Sequence, residues 1–157
     1  MKLKALLLLC IVACAGCQSK RTFTDEQIAA MRKEGFSPNA EGWGLGMSDK
    51  ILFGINESEL TPESKTIINR MATNLAVTGI EHLRIDGHTD NYGTASYNQQ
   101  LSLKRADAVA AQWATGASLP RSNIETRGLG MKYPVTSNNN AQGRAQNRRV
   151  AVVISAP

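Results

Sequence analysis

Beyond residue 17 the sequence has no cysteine, since all three cysteines (Cys10, Cys14 and Cys17) lie in the first 17 residues. A chain processed at Cys17 would carry no free thiol, no disulfide and no cysteine metal site. Its core would have to be held together by packing alone, which suits an oxidising compartment such as the periplasm. Histidine is equally scarce, at two residues, and this argues against a histidine-rich metal centre.

Strong charge of one sign is also missing. The formal net charge is +5, and it falls to +3 when Lys2 and Lys4 are set aside. The basic residues are scattered until the stretch GRAQNRR near the C-terminus. Because nucleic-acid-binding proteins usually carry clustered basic residues, this pattern does not favour nucleic acid as a partner. The length that remains fits a single domain with a short lead.

The longest apolar run lies at the N-terminus. Lys2 and Lys4 precede an apolar segment over residues 5–15, and small residues come just before Cys17. This is typical of a secretory signal peptide, predicted over residues 1–16, and it is too short to span a membrane. Its end resembles a bacterial lipobox, whose cysteine receives a diacylglyceryl group and whose new N-terminus is acylated, for example with palmitate.

Two registers of the lipobox compete. Acylation at Cys17 is favoured because it leaves the longer apolar segment, whereas the stretch ending at Cys14 fits the lipobox better at its first position. An ordinary signal peptide with incidental cysteines is a third reading. Gln18 and Ser19 follow Cys17, so the second mature position has no aspartate, and the expected location is the outer membrane, facing the periplasm.

Residues 17–42 are predicted to be a lipid-anchored tether with a short helix over 24–36. Thr24 and Gln27 form a capping-box pattern, and Gly35 is a plausible helix stop. Two interpretations stay open for this segment. It is either a tether with a marginal helix or an arm that docks on a partner protein.

Residues 43–157 are predicted to form the domain itself, in the order β-α-β-α-β-β. The predicted elements are a strand or hairpin over 43–53, a helix from Thr61-Pro62 to Gly79, a strand over 82–86, a helix over 96–114, and strands over 123–130 and 149–155. A polar loop, with room for a short helix, precedes the last strand. The order predicts an α+β fold, a two-layer sandwich with helices on one face of a mixed sheet.

The stretch DGHTDNYG places Asp86, His88 and Asp90 at alternate positions. An extended strand would turn all three toward one face, where they could bind a metal ion. Gly87 and the turn at Asn91 indicate that the strand ends here, so the three side chains are not expected to share one face. No nucleophile-elbow pattern accompanies the serines that follow. No metal, no cofactor and no enzymatic activity are therefore expected.

Three segments together resemble the OmpA-like domain, the peptidoglycan-binding module of cell-envelope proteins. They are IDGHTDNYGTASYNQQLSLKRADAVA, IETRGLGMKYP and NNNAQGRAQNRRVAVVI, and the resemblance covers about residues 50–155. Within the family the sequence is most similar to the YfiB-like branch of outer-membrane lipoproteins, through GCQ, DEQIAAMRKEGF and GWGLGMSDKILFGIN. It departs from many members at Gly54, where they have an aspartate.

The resemblance implies a ligand, the diaminopimelate of the peptidoglycan stem peptide. Asp90 would take its ammonium group, and Arg105 would bind its carboxylate in a bidentate manner, which a planar guanidinium can do. The remaining implied contacts are Asn56, Asn91, Gly93 and Leu101. Arg148 and Arg149 are expected to be structural, paired with acidic groups and carbonyls.

The same branch implies a role in signalling. Such proteins capture a periplasmic repressor and thereby release a diguanylate cyclase, which raises cyclic-di-GMP and favours biofilm. Residues 24–47 would form the partner surface, and a homodimer is left open. The alternatives are a purely structural anchor between outer membrane and wall, and a metal-dependent wall hydrolase.

Overall fold

Residues 22–48, 50–51 and 53–156 are described by the computed structural model of the protein. Within these residues the helices are α1 (Asp25–Glu34), α2 (Pro62–Ala76), α3 (Ala95–Ala117) and α4 (Ala141–Asn147). The strands are β1 (Ser37–Asn39), β2 (Gly42–Gly46), β3 (Leu83–Gly87), β4 (Ile124–Gly128) and β5 (Val150–Ile154). The predicted signal peptide and both candidate acylated cysteines lie outside the described residues.

The strands form one mixed sheet in the order β1-β2-β5-β3-β4. Only β3 and β4 pair in parallel, as expected for strands joined through a crossover helix, here α3. In the register, Ile85 lies opposite Val152 of β5 and Thr126 of β4. Helices α2 and α3 cover one face of the sheet. The predicted two-layer α+β fold is confirmed.

The core lies between the helices and the sheet. Leu83 and Ile85 point inward from β3, and the inner side of α3 is buried (Leu101, Ala106, Val109, Ala110 and Trp113). Each fully buried large apolar side chain contributes roughly 1.5–3 kcal/mol. The predicted starts of α2 and α3 lie within one residue of the observed starts, where Thr61 and Thr94 cap the helices through their side chains.

Helix α3 crosses very close to the ends of β3 and β4. A Cβ atom built on Gly87 would lie 1.8 Å from the carbonyl oxygen of Ser102, and one on Gly128 would lie 2.5 Å from that of Gln99. Only glycine permits this approach of helix to strand. The close crossing fixes the first half of α3, including Arg105, against the end of β3.

Helix α1 packs against α2. Its capping box is formed as predicted, and Met31 is fully buried in the core. Gln27 donates a hydrogen bond to the Thr78 carbonyl, and the buried Glu34 accepts one from Asn74. The outer face of α1 is exposed. The hairpin of β1 and β2 runs across the predicted boundary between residues 42 and 43.

The opening strand is shorter than predicted. Ile51 and Phe53 are buried in the core but lie outside any strand, because the chain leaves the sheet after β2. Their apolar pattern reflects burial under a loop, which alternation alone does not distinguish from a strand. None of the helices in the described ranges is long and apolar enough to cross a membrane.

Candidate functional site

The candidate site is a small cavity where the chain leaves β3. Its volume is about 10 Å³, room for roughly one water molecule. It lies between the turn that follows β3, the start of α3, the loop after Phe53, and the end of α4. Its lining residues are Ile55, Asn56, Thr89, Asp90, Tyr92, Asn98, Leu101, Arg105 and Arg148.

Asp90 is the anion of the cavity, and it is 5% exposed. Its Oδ1 accepts a hydrogen bond from the Tyr92 backbone N–H at 3.1 Å, and its Oδ2 accepts one from Arg148 Nη1 at 3.0 Å. Asn98 donates to the Tyr92 carbonyl from the other side at 2.7 Å. A carboxylate can accept about four hydrogen bonds. Asp90 therefore retains acceptor capacity toward the cavity.

Arg105 is fully buried and held by three backbone carbonyls. Its Nε donates to Glu57 at 2.8 Å, Nη1 donates to His88 at 3.2 Å, and Nη2 donates to Gly54 at 2.9 Å. Its guanidinium also lies over the Phe53 ring, 5.0 Å from the centroid. A guanidinium has five N–H groups, so one on each terminal nitrogen remains unused by the described residues.

The charge of Arg105 is kept despite its burial. Burial, followed by the nearby Arg148, lowers the pKa of Arg105 to about 10, which still leaves it protonated at neutral pH. By binding the carbonyls of Gly54 and Glu57, Arg105 fixes the loop that forms one wall of the cavity. It therefore positions this wall as well as supplying positive charge.

Arg148 is the second cation of the cavity. Its Nε donates to the Phe53 carbonyl at 3.1 Å, and its Nη1 pairs with Asp90. Its side chain is 16% exposed. The cavity thus combines one carboxylate with two guanidinium groups, an arrangement that can hold a ligand carrying both an ammonium group and a carboxylate.

The structure brings four of the six predicted ligand residues to the same cavity, namely Asn56, Asp90, Leu101 and Arg105. Asn91 and Gly93 lie on the adjoining turn, outside the lining, and Gly93 has a φ of 87° that favours glycine. Sequence reasoning did not assign Ile55, Thr89, Tyr92, Asn98 and Arg148 to the site. Nothing in the sequence distinguishes Arg148, which lines the cavity, from Arg149, which does not.

Asp86 belongs to a separate cluster. Its carboxylate accepts hydrogen bonds from Arg84 and from Arg127 at 2.9–3.2 Å. Burial alone would raise the pKa of Asp86, but the bonds from Arg127 and Arg84 outweigh it and lower the pKa. Over residues 22–48, 50–51 and 53–156, no three histidine, cysteine, aspartate or glutamate side chains gather as metal ligands.

His88 is buried close to Asp86 and Arg149. Burial, together with the charge of Arg149, lowers the pKa of His88 to about 4, so the ring is neutral at neutral pH. In the described part of the chain, His88 Nδ1 and Arg149 Nη1 are buried without a hydrogen-bond partner. His82, by contrast, is exposed.

A larger groove of about 610 Å³ lies at the other end of the sheet. It borders the start of α1, the starts of β3 and β4, and the end of β5. None of the predicted ligand-binding residues lines it. Size alone would favour this groove, but the paired charges that can recognise a zwitterion lie in the small cavity.

Comparison with known proteins agrees with this architecture. The sequence is 59% identical to the putative lipoprotein YfiB of Escherichia coli over 143 residues, covering 90% of this chain and 89% of that protein. It is 46% identical to the outer-membrane lipoprotein YfiB of Pseudomonas aeruginosa, covering 93% of this chain and 88% of that protein. The predicted location at the outer membrane, facing the periplasm, is confirmed by this similarity.

A solved structure gives the same answer for the fold. The peptidoglycan-associated lipoprotein from Burkholderia pseudomallei aligns with a TM-score of 0.60 at 28% identity, covering 66% of this chain and 86% of that one. The sequence pattern described as the OmpA family matches residues 52–148, more than half of the chain. The chain belongs to the OmpA family.

Proposed function

We propose that the protein binds peptidoglycan non-covalently through the diaminopimelate of the stem peptide and so tethers the outer membrane to the cell wall. The observation that carries the proposal is the cavity in which Asp90 faces Arg105 and Arg148. Membership of the OmpA family and similarity to a protein named a peptidoglycan-associated lipoprotein support it.

The ligand's free end bears an ammonium group and a carboxylate on the same carbon. Asp90 accepts from the ammonium through its unused lone pairs. The carboxylate takes the remaining N–H groups of Arg105, one on each terminal nitrogen, or those of Arg148. Charge-assisted hydrogen bonds of this kind contribute roughly 1.5–3 kcal/mol each. No bond of the ligand is broken, so the protein acts as a binding protein and not as an enzyme.

Binding requires the cavity to open, because its volume of about 10 Å³ is too small for the ligand. Arg148 is the side chain best placed to move, since it is partly exposed whereas Arg105 is fully buried. When Arg148 turns outward, Asp90 is freed for the ammonium group. Arg105 stays on its three carbonyls and keeps the wall of the cavity in place.

The test is co-sedimentation of the full chain, in detergent, with sacculi that contain diaminopimelate. The tripeptide L-Ala–γ-D-Glu–meso-diaminopimelate, amidated at the α-carboxyl of its last residue, is then added as a competitor, with the same amidated peptide ending in L-lysine as the matched control, because the lysine side chain ends in an ammonium group without a carboxylate beside it. The proposal expects pelleting that the diaminopimelate peptide reverses and the lysine peptide does not. Failure to pellet, or equal competition by the lysine peptide, would contradict it.

Acylation at Cys17, with Cys14 as the alternative, would hold the other end of the chain in the membrane. A single cavity of this kind binds weakly, but membrane and wall are both extended arrays. Many copies therefore give a strong attachment by avidity. Mass spectrometry of the N-terminal peptide identifies the acylated cysteine.

The second proposed function is capture of a periplasmic repressor of a diguanylate cyclase through residues 24–47, which raises cyclic-di-GMP. What supports it is the outer face of α1, where Asp25, Glu26 and Ala29 are exposed. Deleting the whole helix would remove the buried Met31 and disturb the fold, so a surface change is the better test.

Ala29→Arg places a large cation on this outer face, and Val77→Arg, at a position 77% exposed on another surface, is the control. Capture predicts a lower cyclic-di-GMP level in cells for Ala29→Arg alone, with pelleting on sacculi unchanged. If the level is the same in both variants, the purely structural anchor is the better account.

A further inference from the structure

We infer that Tyr92, at the rim of the cavity, is a stacking platform for a hexosamine ring of the glycan strand. This inference rests on the proposed function, because it concerns the part of peptidoglycan that the cavity itself does not take. It adds a sugar-binding contact to a site that otherwise recognises only the stem peptide.

The first reason is that Tyr92 is held firmly although it is exposed. Its backbone N–H donates to Asp90, and its carbonyl accepts from Asn98. Arg144 lies over its ring, 5.2 Å from the centroid, and is itself bound to the Asn138 carbonyl. Tyr92 is nevertheless 60% exposed. An exposed aromatic side chain that is fixed in place can bind with little loss of conformational entropy.

The second reason is its surroundings. Ile55, 63% exposed, lies on the lining of the same cavity as Tyr92. Tyr97 is 45% exposed and lies at the start of α3, next to Gly93 on the turn. Its ring carbon Cδ1 is 3.5 Å from the position that a Cβ atom on Gly93 would take. Exposed apolar side chains gathered at the mouth of a binding site indicate a contact surface.

The third reason is the chemistry of the ligand. The diaminopimelate side chain and two amino acids, one of them linked through its γ-carboxyl group, separate the bound ammonium group from the sugar that bears the stem peptide, a span of roughly 15 Å when extended. A stem peptide that bends back over the cavity brings a sugar ring to the rim. One face of a hexosamine ring presents C–H groups, and these pack against the negative face of an aromatic ring.

The test compares two ligands by isothermal titration calorimetry with the full chain in detergent. One is the tripeptide L-Ala–D-Glu–meso-diaminopimelate, and the other is the same tripeptide carrying its GlcNAc–MurNAc disaccharide. The disaccharide should strengthen binding roughly three- to tenfold, the scale of one aromatic stacking contact. Tyr92→Ala should reduce this ratio to one, whereas Tyr92→Phe should keep it.

Tyr133→Ala is the matched control, because Tyr133 is also 60% exposed but lies outside the lining of the cavity. It should keep the ratio of the parent. A ratio of one in the parent would overturn the inference and indicate that the rim meets the peptide or another protein. A ratio that survives Tyr92→Ala would also overturn it. If the parent binds neither ligand, the proposed function itself fails.

Discussion

Asp86 and Asp90 are four residues apart, are each 5% exposed, and are each paired with arginine, yet their environments differ. Asp86 accepts hydrogen bonds from two arginine side chains that surround both of its oxygens. Asp90 accepts one from Arg148 and one from the turn that it caps. Asp90 lines the small cavity, and Asp86 is not among the residues that line it.

The difference shows that two aspartates in one short stretch can have different roles, one structural and one in ligand binding. A buried carboxylate whose acceptor sites are filled has no free lone pair for a ligand. Removing one of its partners would leave a buried charge unpaired, which is unfavourable. A carboxylate with unfilled sites beside two cations can exchange an internal partner for an external one. We therefore interpret Asp86 as structural and Asp90 as the ligand-binding aspartate.

The largest effect on stability is expected for Arg105→Met. It leaves the carbonyls of Gly54, Glu57 and His88 without their donor in a buried position. The free energy of unfolding should fall by roughly 3–5 kcal/mol. Arg70→Met is the control, since Arg70 is 59% exposed and should change stability by less than about 1 kcal/mol. Urea unfolding measures the free energy of unfolding of both variants. An equal decrease in the two would contradict the positioning role of Arg105.

The next effect is a pH dependence from His88, which lies between the two aspartates in sequence. Its pKa is about 4 in the folded protein against an ordinary 6.5, so the unfolded chain takes up a proton first as the pH falls. Stability should decrease by roughly 2–4 kcal/mol between pH 6.5 and 4. Its immediate charged neighbours are Arg149 and Asp86.

Unfolding measured at both pH values checks this expectation in two variants. His88→Gln should flatten the profile between pH 6.5 and 4, whereas His82→Gln should leave it unchanged, because His82 is exposed. An unaltered slope in His88→Gln would mean that another group titrates in this window.

A smaller loss of stability is expected for Asp86→Asn. The change removes the charge that Arg84 and Arg127 share, but Arg127 is 40% exposed and can be solvated instead. The expected decrease is roughly 1–2 kcal/mol in the free energy of unfolding at neutral pH. A thermal or urea unfolding curve gives this value. No change at all would show that the cluster does not stabilise the sheet.

Much of the fold was predictable because its signals are local. The capping residues Thr24 and Thr61 mark two helix starts, and the alternation at Leu83 and Ile85 marks the central strand. The packing of α1 on α2 was not predictable in this way. Its apolar stripe is weak, and the contacts that bury Met31 come from distant residues.

The site was predictable in part. Asp90 and Arg105 were placed through the family resemblance, and the structure brings them to one cavity. The pairing of Asp90 with Arg148 could not be read from the sequence, because the two are 58 residues apart. The capture of Arg105 by backbone carbonyls was equally hidden, since any residue type can supply a carbonyl.

The most direct test of the central claim compares Asp90→Asn with Asp86→Asn in co-sedimentation with diaminopimelate-containing sacculi. Both changes remove one negative charge from a buried aspartate, so they differ only in which cluster they affect. Loss of the charge-assisted contact at Asp90 should weaken wall binding roughly 10- to 100-fold, whereas Asp86→Asn should stay within about twofold of the parent. Equal weakening by both variants, or full binding by Asp90→Asn, would contradict the account.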